Sequence, residues 1–380
     1  MNILITISVR WWNANAYYAV SVAEALMELG HNVYVAGDPD YPPTLEAMKS
    51  GLPTLPIRFS SLNPFIFVRD MVKLYRFLKN RQIEIINAHR PEDHLWTVLL
   101  SRILKIPLVR TVGDVRSPHN NFLNRWLHIK PKVFFIFSSD SSKIRYNSVW
   151  PAFNPDFSII PGGVSSKLFH PAPKNPQLLK QFHIPEEHYV VGIVARLSPI
   201  KDHVTFITAS ALIVDKIKNV IFIISGSEEE VFVKDLKALA NSLNVLDHFR
   251  FIDRFNPVGD LISIFDIGVI ASKGSEVIAR IAMEYIASGI PVVATDVNVL
   301  PEVIVHDRNG IIIGPDSAYE MAEAVVKLLG DVDLRSQISK NNQEDFAHKF
   351  DILMVAKSIC SIYKDVTKKN NMNVRSNAHR

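Results

Sequence analysis

Short unbroken apolar runs alternate along the chain with longer stretches of helical period. Residues 3–9 form the first run, followed by the loop Arg10-Trp11-Trp12-Asn13-Ala14-Asn15 and a predicted helix over 17–29 that Gly30 ends. Further strands are predicted at 31–37, 83–88, 107–112, 132–137 and 157–160, and helices at 68–79, 92–103 and 141–148. Strands apolar on both faces, each followed by a helix, predict a parallel, doubly wound sheet.

From 166 to 188 the period is lost and Pro171, Pro173, Pro176 and Pro185 accumulate, which marks a linker. A second alternating series follows, with strands at 189–195, 220–225, 249–252 and 267–271 and helices at 203–217, 229–243 and 258–264. Residues 272–302 read as loop, helix, turn and buried strand, with Gly289-Ile290-Pro291 as the helix stop. The expected organisation is an α/β chain of two Rossmann-like domains, 1–165 and 189–345, joined by 166–188. A C-terminal helix over 346–366 that can return to the first domain comes next, then a disordered polar tail, 367–380. Doubly wound sheets bind ligands at the carboxyl ends of their strands, so an active site lies between the domains if those ends face each other.

Length and composition agree with two cores: 380 residues, 48% hydrophobic. A net charge of +4 does not call for nucleic acid, but suits phosphorylated substrates or an anionic membrane surface. The single cysteine, Cys360, excludes an internal disulfide framework, and the N-terminus lacks the basic region of a secretory signal. No apolar run approaches the roughly 20 residues that span a bilayer. The expectation is a cytoplasmic protein whose membrane contact, at the inner face of the cytoplasmic membrane, is peripheral. Segment 63–81 sets Phe65, Phe67, Met71, Leu74 and Phe77 against Arg69, Lys73, Arg76, Lys79 and Arg81. It reads either as an outer helix on the sheet or as a basic amphipathic helix for an anionic leaflet.

Arg196 and Lys201 follow the strand at 189–195, and a guanidinium fork with a compact ammonium suits a diphosphate, though alone they also read as surface cations beside a turn. Glu276 and Glu284 stand in an apolar setting between two buried strands. On one helix they would lie roughly 12 Å apart, a separation that lets two carboxylates accept hydrogen bonds from hydroxyls on either side of a diphosphate. Arg280, opening that helix, is expected to pair with Glu284 or a bound anion.

Taken together, Glu276, seven residues, Glu284, then Tyr285-Ile286-Ala287-Ser288-Gly289-Ile290-Pro291-Val292-Val293, and Pro301-Glu302, resemble the donor-site signature of family 4 retaining glycosyltransferases with the GT-B fold. The Arg196 to Lys201 spacing and the turn Gly162-Gly163-Val164 are similar to that family's diphosphate pair and domain-boundary turn. The resemblance implies transfer of a sugar from a nucleotide diphosphate sugar to a glycan or lipid-linked acceptor with retention of configuration, as in lipopolysaccharide or surface polysaccharide assembly. It implies no metal or other cofactor. It gives Arg196 and Lys201 to the diphosphate, Glu276 to the donor sugar, Glu284 to the ribose, and the backbone of Val277, Ile278 and Ala279 to the phosphates.

The chain departs from the family at three points. Ile278-Ala279 replaces Phe-Gly, the loop bearing Asn13 has no glycine, and Gly113 stands where a histidine is often found. Asn13 is kept as a substrate contact. Charged and polar residues crowd two first-domain strand ends: Asn87, His89, Arg90, Glu92, Asp93 and His94, then Arg110, Asp114 and Arg116. Asp114 and His89 are candidate bases, Asp114 and Arg116 the first choice as site residues, and Arg90 and His94 contacts to an acceptor sugar or phosphate. Arg254 is placed near the nucleotide base. A non-catalytic GT-B binding protein and a GT-B sugar-nucleotide epimerase remain as alternatives. A nicotinamide enzyme is disfavoured by the missing Gly-x-Gly-x-x-Gly.

Overall fold

A computed structural model describes residues 1–114, 117–129, 133–151, 153–274 and 276–378. The chain forms two compact units, Met1–Gly163 with Ile352–Arg380, and Val164–Asp351.

The first unit holds a seven-stranded sheet: β1 (Asn2–Ile7), β2 (Asn32–Gly37), β3 (Thr54–Pro56), β4 (Ile85–Ala88), β5 (Leu108–Val112), β6 (Phe134–Phe137) and β7 (Phe157–Ile159). Its order is β3-β2-β1-β4-β5-β6-β7, parallel throughout. The second unit holds six strands: β8 (Tyr189–Val194), β9 (Val220–Ser225), β10 (Phe249–Ile252), β11 (Ile267–Ile270), β12 (Val292–Thr295) and β13 (Gly310–Ile313). These run β10-β9-β8-β11-β12-β13, again all parallel. In both sheets the winding reverses once, between β1 and β4 and between β8 and β11. Those reversals are the topological switch points at which doubly wound sheets open a crevice.

The apolar runs become strands because helices cover both faces; β4 and β9 are buried along their whole length. In the first unit Trp96, on the Pro91–Leu104 helix, meets Phe59 and Phe67 with ring centroids 5.5 and 4.6 Å apart. In the second, Phe206, Phe222 and Phe249 form a continuous aromatic core.

Segment 166–188 is not a free linker. It carries the helix Pro176–Gln181, capped by Asn175, buries Leu178 and Leu179, and is joined to the second unit by the Lys174–Asp266 ion pair at 2.6 Å. The expected tail differs as well, because the last helix runs unbroken from Ile352 to Ala378. It packs along the Ala14–Glu28 helix in the first unit, and the Tyr363 hydroxyl accepts from Asn87 Nδ2 at 2.7 Å. No glycine or proline interrupts it, and Asn370 donates to the Lys105 carbonyl at 2.9 Å, so polar composition alone does not unwind the chain. Among the described residues no helix is long and apolar enough to cross a membrane.

Candidate active site

In the second unit the loops leaving β8 and β11 are stitched together: Lys273 N donates to the Ile200 carbonyl at 2.9 Å. Proline at its first position sets the short 3-10 turn Pro199–Lys201, and Asp202, at φ 51°, then caps the helix His203–Lys216 through Thr205 N. This turn carries Lys201 over the β11 loop. There its ammonium forms an ion pair with Glu276, which also accepts from Ser272 Oγ at 2.7 Å. Thr295 Oγ1 holds Ser272 in turn, donating to its carbonyl at 2.6 Å. Glu276 is 7% exposed, so its two partners offset much of the desolvation that a lone carboxylate would meet.

Glu276 does not stand on the helix that bears Glu284. The helix spans Arg280–Ala287, and Ala279 before it takes the left-handed conformation at φ 51°, which breaks the helical path between the two glutamates. Helical rise therefore does not set their separation. Glu284 is buried and accepts from Arg280 Nε at 2.6 Å, the pairing expected from their spacing. Burial pushes the Glu284 carboxyl above its ordinary value, against the pull of Arg280. Val277, Ile278 and Ala279 are all buried in the turn before the helix.

The helix is seated by Tyr285, whose hydroxyl accepts from Val194 N at 3.2 Å. Glycines allow this contact, since a Cβ at Gly268 would meet the Tyr285 ring at 2.5 Å, and one at Gly192 would meet Phe265 at 2.1 Å. Arg196 leaves β8 beside Lys201, but Glu229 binds its guanidinium through both carboxylate oxygens, at 2.6 and 2.7 Å. Arg254 follows β10 at the sheet edge, two strands from β8 and exposed, so it is not gathered into the switch-point constellation.

In the first unit, Asn13 caps the helix Ala14–Glu28 by accepting from Ala16 N at 3.0 Å, and Trp11 beside it is 71% exposed. Arg90 forms an ion pair with Asp114, whose other oxygen faces the fully buried Arg110 guanidinium at 3.8 Å. Asp114, a candidate base, thus has a guanidinium on either side of its carboxylate. His94 is buried, with its ring 4.9 Å from that of His128 and its Nε2 3.3 Å from the Leu127 carbonyl; it faces the core and not a ligand surface. His89 is buried too, and burial with Arg110 nearby lowers it to about 3. Asp93, under the same strand ends, accepts from Ser8 N and Oγ at 3.1 and 3.2 Å and from Arg90 N at 3.0 Å, and burial pushes it up to about 7 against the pull of Arg110. Arg116 lies outside the described residues. Sequence reading missed Glu229. Its only signal was the run Glu228-Glu229-Glu230 just past the end of β9.

Two doubly wound parallel sheets in one chain define the GT-B class of fold, and the second sheet has carboxylates and cations at its switch point. The sequence model described as "Glycosyl transferases group 1" matches residues 174–345, and that described as "Glycosyltransferase Family 4" matches residues 16–165. The chain belongs to the family 4 type of glycosyltransferases. It is similar to the D-inositol 3-phosphate glycosyltransferase of Corynebacterium glutamicum, 28% identical over 58% of this chain and 54% of the relative. The lipopolysaccharide core biosynthesis mannosyltransferase LpsB of Rhizobium meliloti is 22% identical over 80% of this chain and 86% of its own. The chain spans about half the length of several of the curated relatives it matches. Among solved structures, Anabaena Alr3699/HepE in complex with UDP-glucose superposes with a TM-score of 0.79 at 20% identity, covering 96% of this chain and all of the other.

Proposed function

We propose that the protein is a retaining glycosyltransferase that moves a sugar from a nucleotide diphosphate sugar to a glycan or lipid-linked acceptor in lipopolysaccharide or surface polysaccharide assembly. The observation that carries this reading is the Lys201–Glu276–Ser272 cluster beside Arg280–Glu284 at the switch point of the second sheet. In this reading Arg196 and Lys201 take the diphosphate, Glu276 accepts from donor-sugar hydroxyls and Glu284 from the ribose. The bond from the anomeric carbon to the diphosphate oxygen breaks as the acceptor oxygen bonds to that carbon on the same face. The acceptor proton passes to the departing phosphate oxygen, so no enzymic nucleophile is required. The cations meet the charge that develops on the leaving group, and the reading includes no metal.

The acceptor side rests on the helix Pro64–Asn80. Its inner face packs Leu74 and Leu78 into the core, while Leu62 before it and Phe65, Val68 and Val72 on it stay exposed among Arg69, Lys73, Arg76 and Lys79. Apolar side chains set among cations suit peripheral contact with an anionic leaflet, where a lipid-linked acceptor would be found. LpsB is a relative named for lipopolysaccharide core assembly, and the Anabaena structure holds UDP-glucose; both support the donor and pathway classes proposed.

The test is a panel of UDP-, GDP-, ADP- and dTDP-sugars, followed by calorimetry and slow donor hydrolysis. Binding by one of them, lost in Lys201→Ala and Glu284→Ala, is the expected result. No donor engaged at millimolar concentration sinks the reading. Conversion of the sugar without acceptor points to an epimerase, and binding without turnover against any acceptor to a scaffold. Phe65→Ser with Val68→Ser is expected to release the protein from vesicles containing phosphatidylglycerol, and unchanged binding removes the leaflet from the proposal.

A further inference from the structure

The diphosphate pair of the second unit is not vacant of partners. Lys201 is engaged by Glu276, and Arg196 by Glu229 through both carboxylate oxygens. Glu276 belongs to the donor signature, but Glu229 belongs to no motif and comes from a different loop, the one leaving β9. That loop is fixed against β8. A Cβ on Gly226 would stand 1.9 Å from the Ala195 carbonyl oxygen, Glu228 bridges Leu197 in parallel register, and the amides of Glu229, Glu230 and Val231 all donate to the Leu197 carbonyl at 3.1 to 3.3 Å. The positions of Arg196 and Glu229 along the two backbones are therefore set by the fold. Both Glu229 oxygens then accept from the same nitrogen, Nη1, which draws that end of the guanidinium toward the β9 loop.

We propose that Glu229 is a carboxylate latch on Arg196. It holds Nη1 of the guanidinium while no diphosphate is bound and must be displaced from it when a nucleoside diphosphate enters, so it weakens nucleotide binding and favours product release. This rests on the reading of Arg196 as a diphosphate ligand given above. A carboxylate and a phosphate compete for the same guanidinium N–H donors. Because the Arg196–Glu229 pair is solvent-exposed, an ion pair of its kind restrains affinity by only about two- to fivefold, and salt screens it. Glu229 acts through Arg196 and is a positioning residue, not a catalytic one.

The experiment is titration calorimetry of UDP and GDP against the full chain as wild type, Glu229→Gln, Arg196→Ala, the double variant and Glu230→Gln, at 0.05 and 0.5 M salt. The better-binding nucleotide is expected to bind Glu229→Gln about two- to fivefold tighter than wild type at low salt, with the gain shrinking at high salt. The gain should vanish in the Arg196→Ala background, and Glu230→Gln should match wild type. A purely structural role for Glu229 would not give a gain that depends on Arg196. Equal or weaker binding by Glu229→Gln, or a gain that survives Arg196→Ala, overturns the latch while leaving the donor-site reading intact. If neither UDP nor GDP binds the folded wild type, the titration is repeated with ADP and dTDP, and failure of all four overturns the donor-site reading and the latch with it.

Discussion

Tyr285 lies over Gly268, with its Cδ2 2.5 Å from the place where a Gly268 methyl would stand. From there its hydroxyl accepts from Val194 N on β8, so one ring ties the helix bearing Glu284 to both strands of the switch point. Gly268→Ala should force that ring outward. Overpacking of this kind destabilises by about 1–3 kcal/mol. Urea unfolding of the variant should show a lower midpoint, together with weaker nucleotide-sugar binding because Glu284 moves with the helix. A variant as stable as wild type would mean that the helix re-seats without strain.

Removing Lys201 leaves the Glu276 carboxylate inside the protein, held by the Ser272 hydroxyl without a cation beside it. Lys201→Ala should therefore lower stability by roughly 1–3 kcal/mol and donor affinity at least tenfold. In the double variant Lys201→Ala with Glu276→Ala the buried charge is gone. Stability should largely return, while donor binding should not. Chemical unfolding and calorimetry on the same three proteins separate the two effects, and a double variant no more stable than Lys201→Ala contradicts the argument.

Ala279 stands at φ 51°, a conformation in which a Cβ is unfavourable and glycine is not. Ala279→Gly is expected to stabilise the fold by about 1 kcal/mol and raise Tm by roughly 2–4 °C. Donor affinity should hold or improve, since the backbone before the helix could then approach a phosphate more closely. A drop in Tm would show that the lost entropy of a freer chain outweighs the relieved strain.

The pH dependence of stability has a definite sign. Burial lowers His89 to about 3 and His128 to about 4, and holds His94 well below its usual value, so all three stay neutral in the folded protein at mildly acidic pH. The unfolded chain protonates them near 6.5, so their contribution, complete above that pH, is lost as pH falls toward 4, at about 1.4 kcal/mol per unit for each histidine. Asp93 acts the other way: its carboxyl is raised to about 7, so its contribution is greatest below the ordinary carboxylate range and is lost as pH rises through 7. Unfolding midpoints measured from pH 8 to 5 should fall steeply below 6.5, and Asp93→Asn should flatten the loss on the neutral side. A flat acid limb contradicts the histidine assignment.

Alternating apolar runs and helical stretches made both sheets legible, because a strand covered on two faces has few sequences open to it. The Arg280–Glu284 pair was legible too, being local. What could not be read was the chain's course between Glu276 and Glu284. A left-handed alanine has no signature, and helix period extrapolated across Ala279 merged a loop with a helix. Long-range partners were hidden for a similar reason. Glu229 reaches Arg196 only because β9 lies beside β8, and His94 turns into the core only because the helix Phe122–Ile129 closes over it. The polar stretch after Thr367 shows the opposite error, in which composition suggested disorder and tertiary partners kept a helix.

The repeated strand order has its own consequence. Position for position, β1 and β4 in the first unit answer to β8 and β11 in the second, so the loop with Trp11 and Asn13 is the topological twin of the one with Arg196 and Lys201, and Arg90 to Asp93 are twins of the turn that begins at Ser272. One mould has been furnished twice. The second copy is stocked with charge pairs that a phosphate can exchange into. In the first, Arg90 is paired with Asp114 and Arg110 donates to the Ala88 and Thr111 carbonyls, and an exposed indole is left on the rim, furniture better matched to the face of a sugar ring than to an anion.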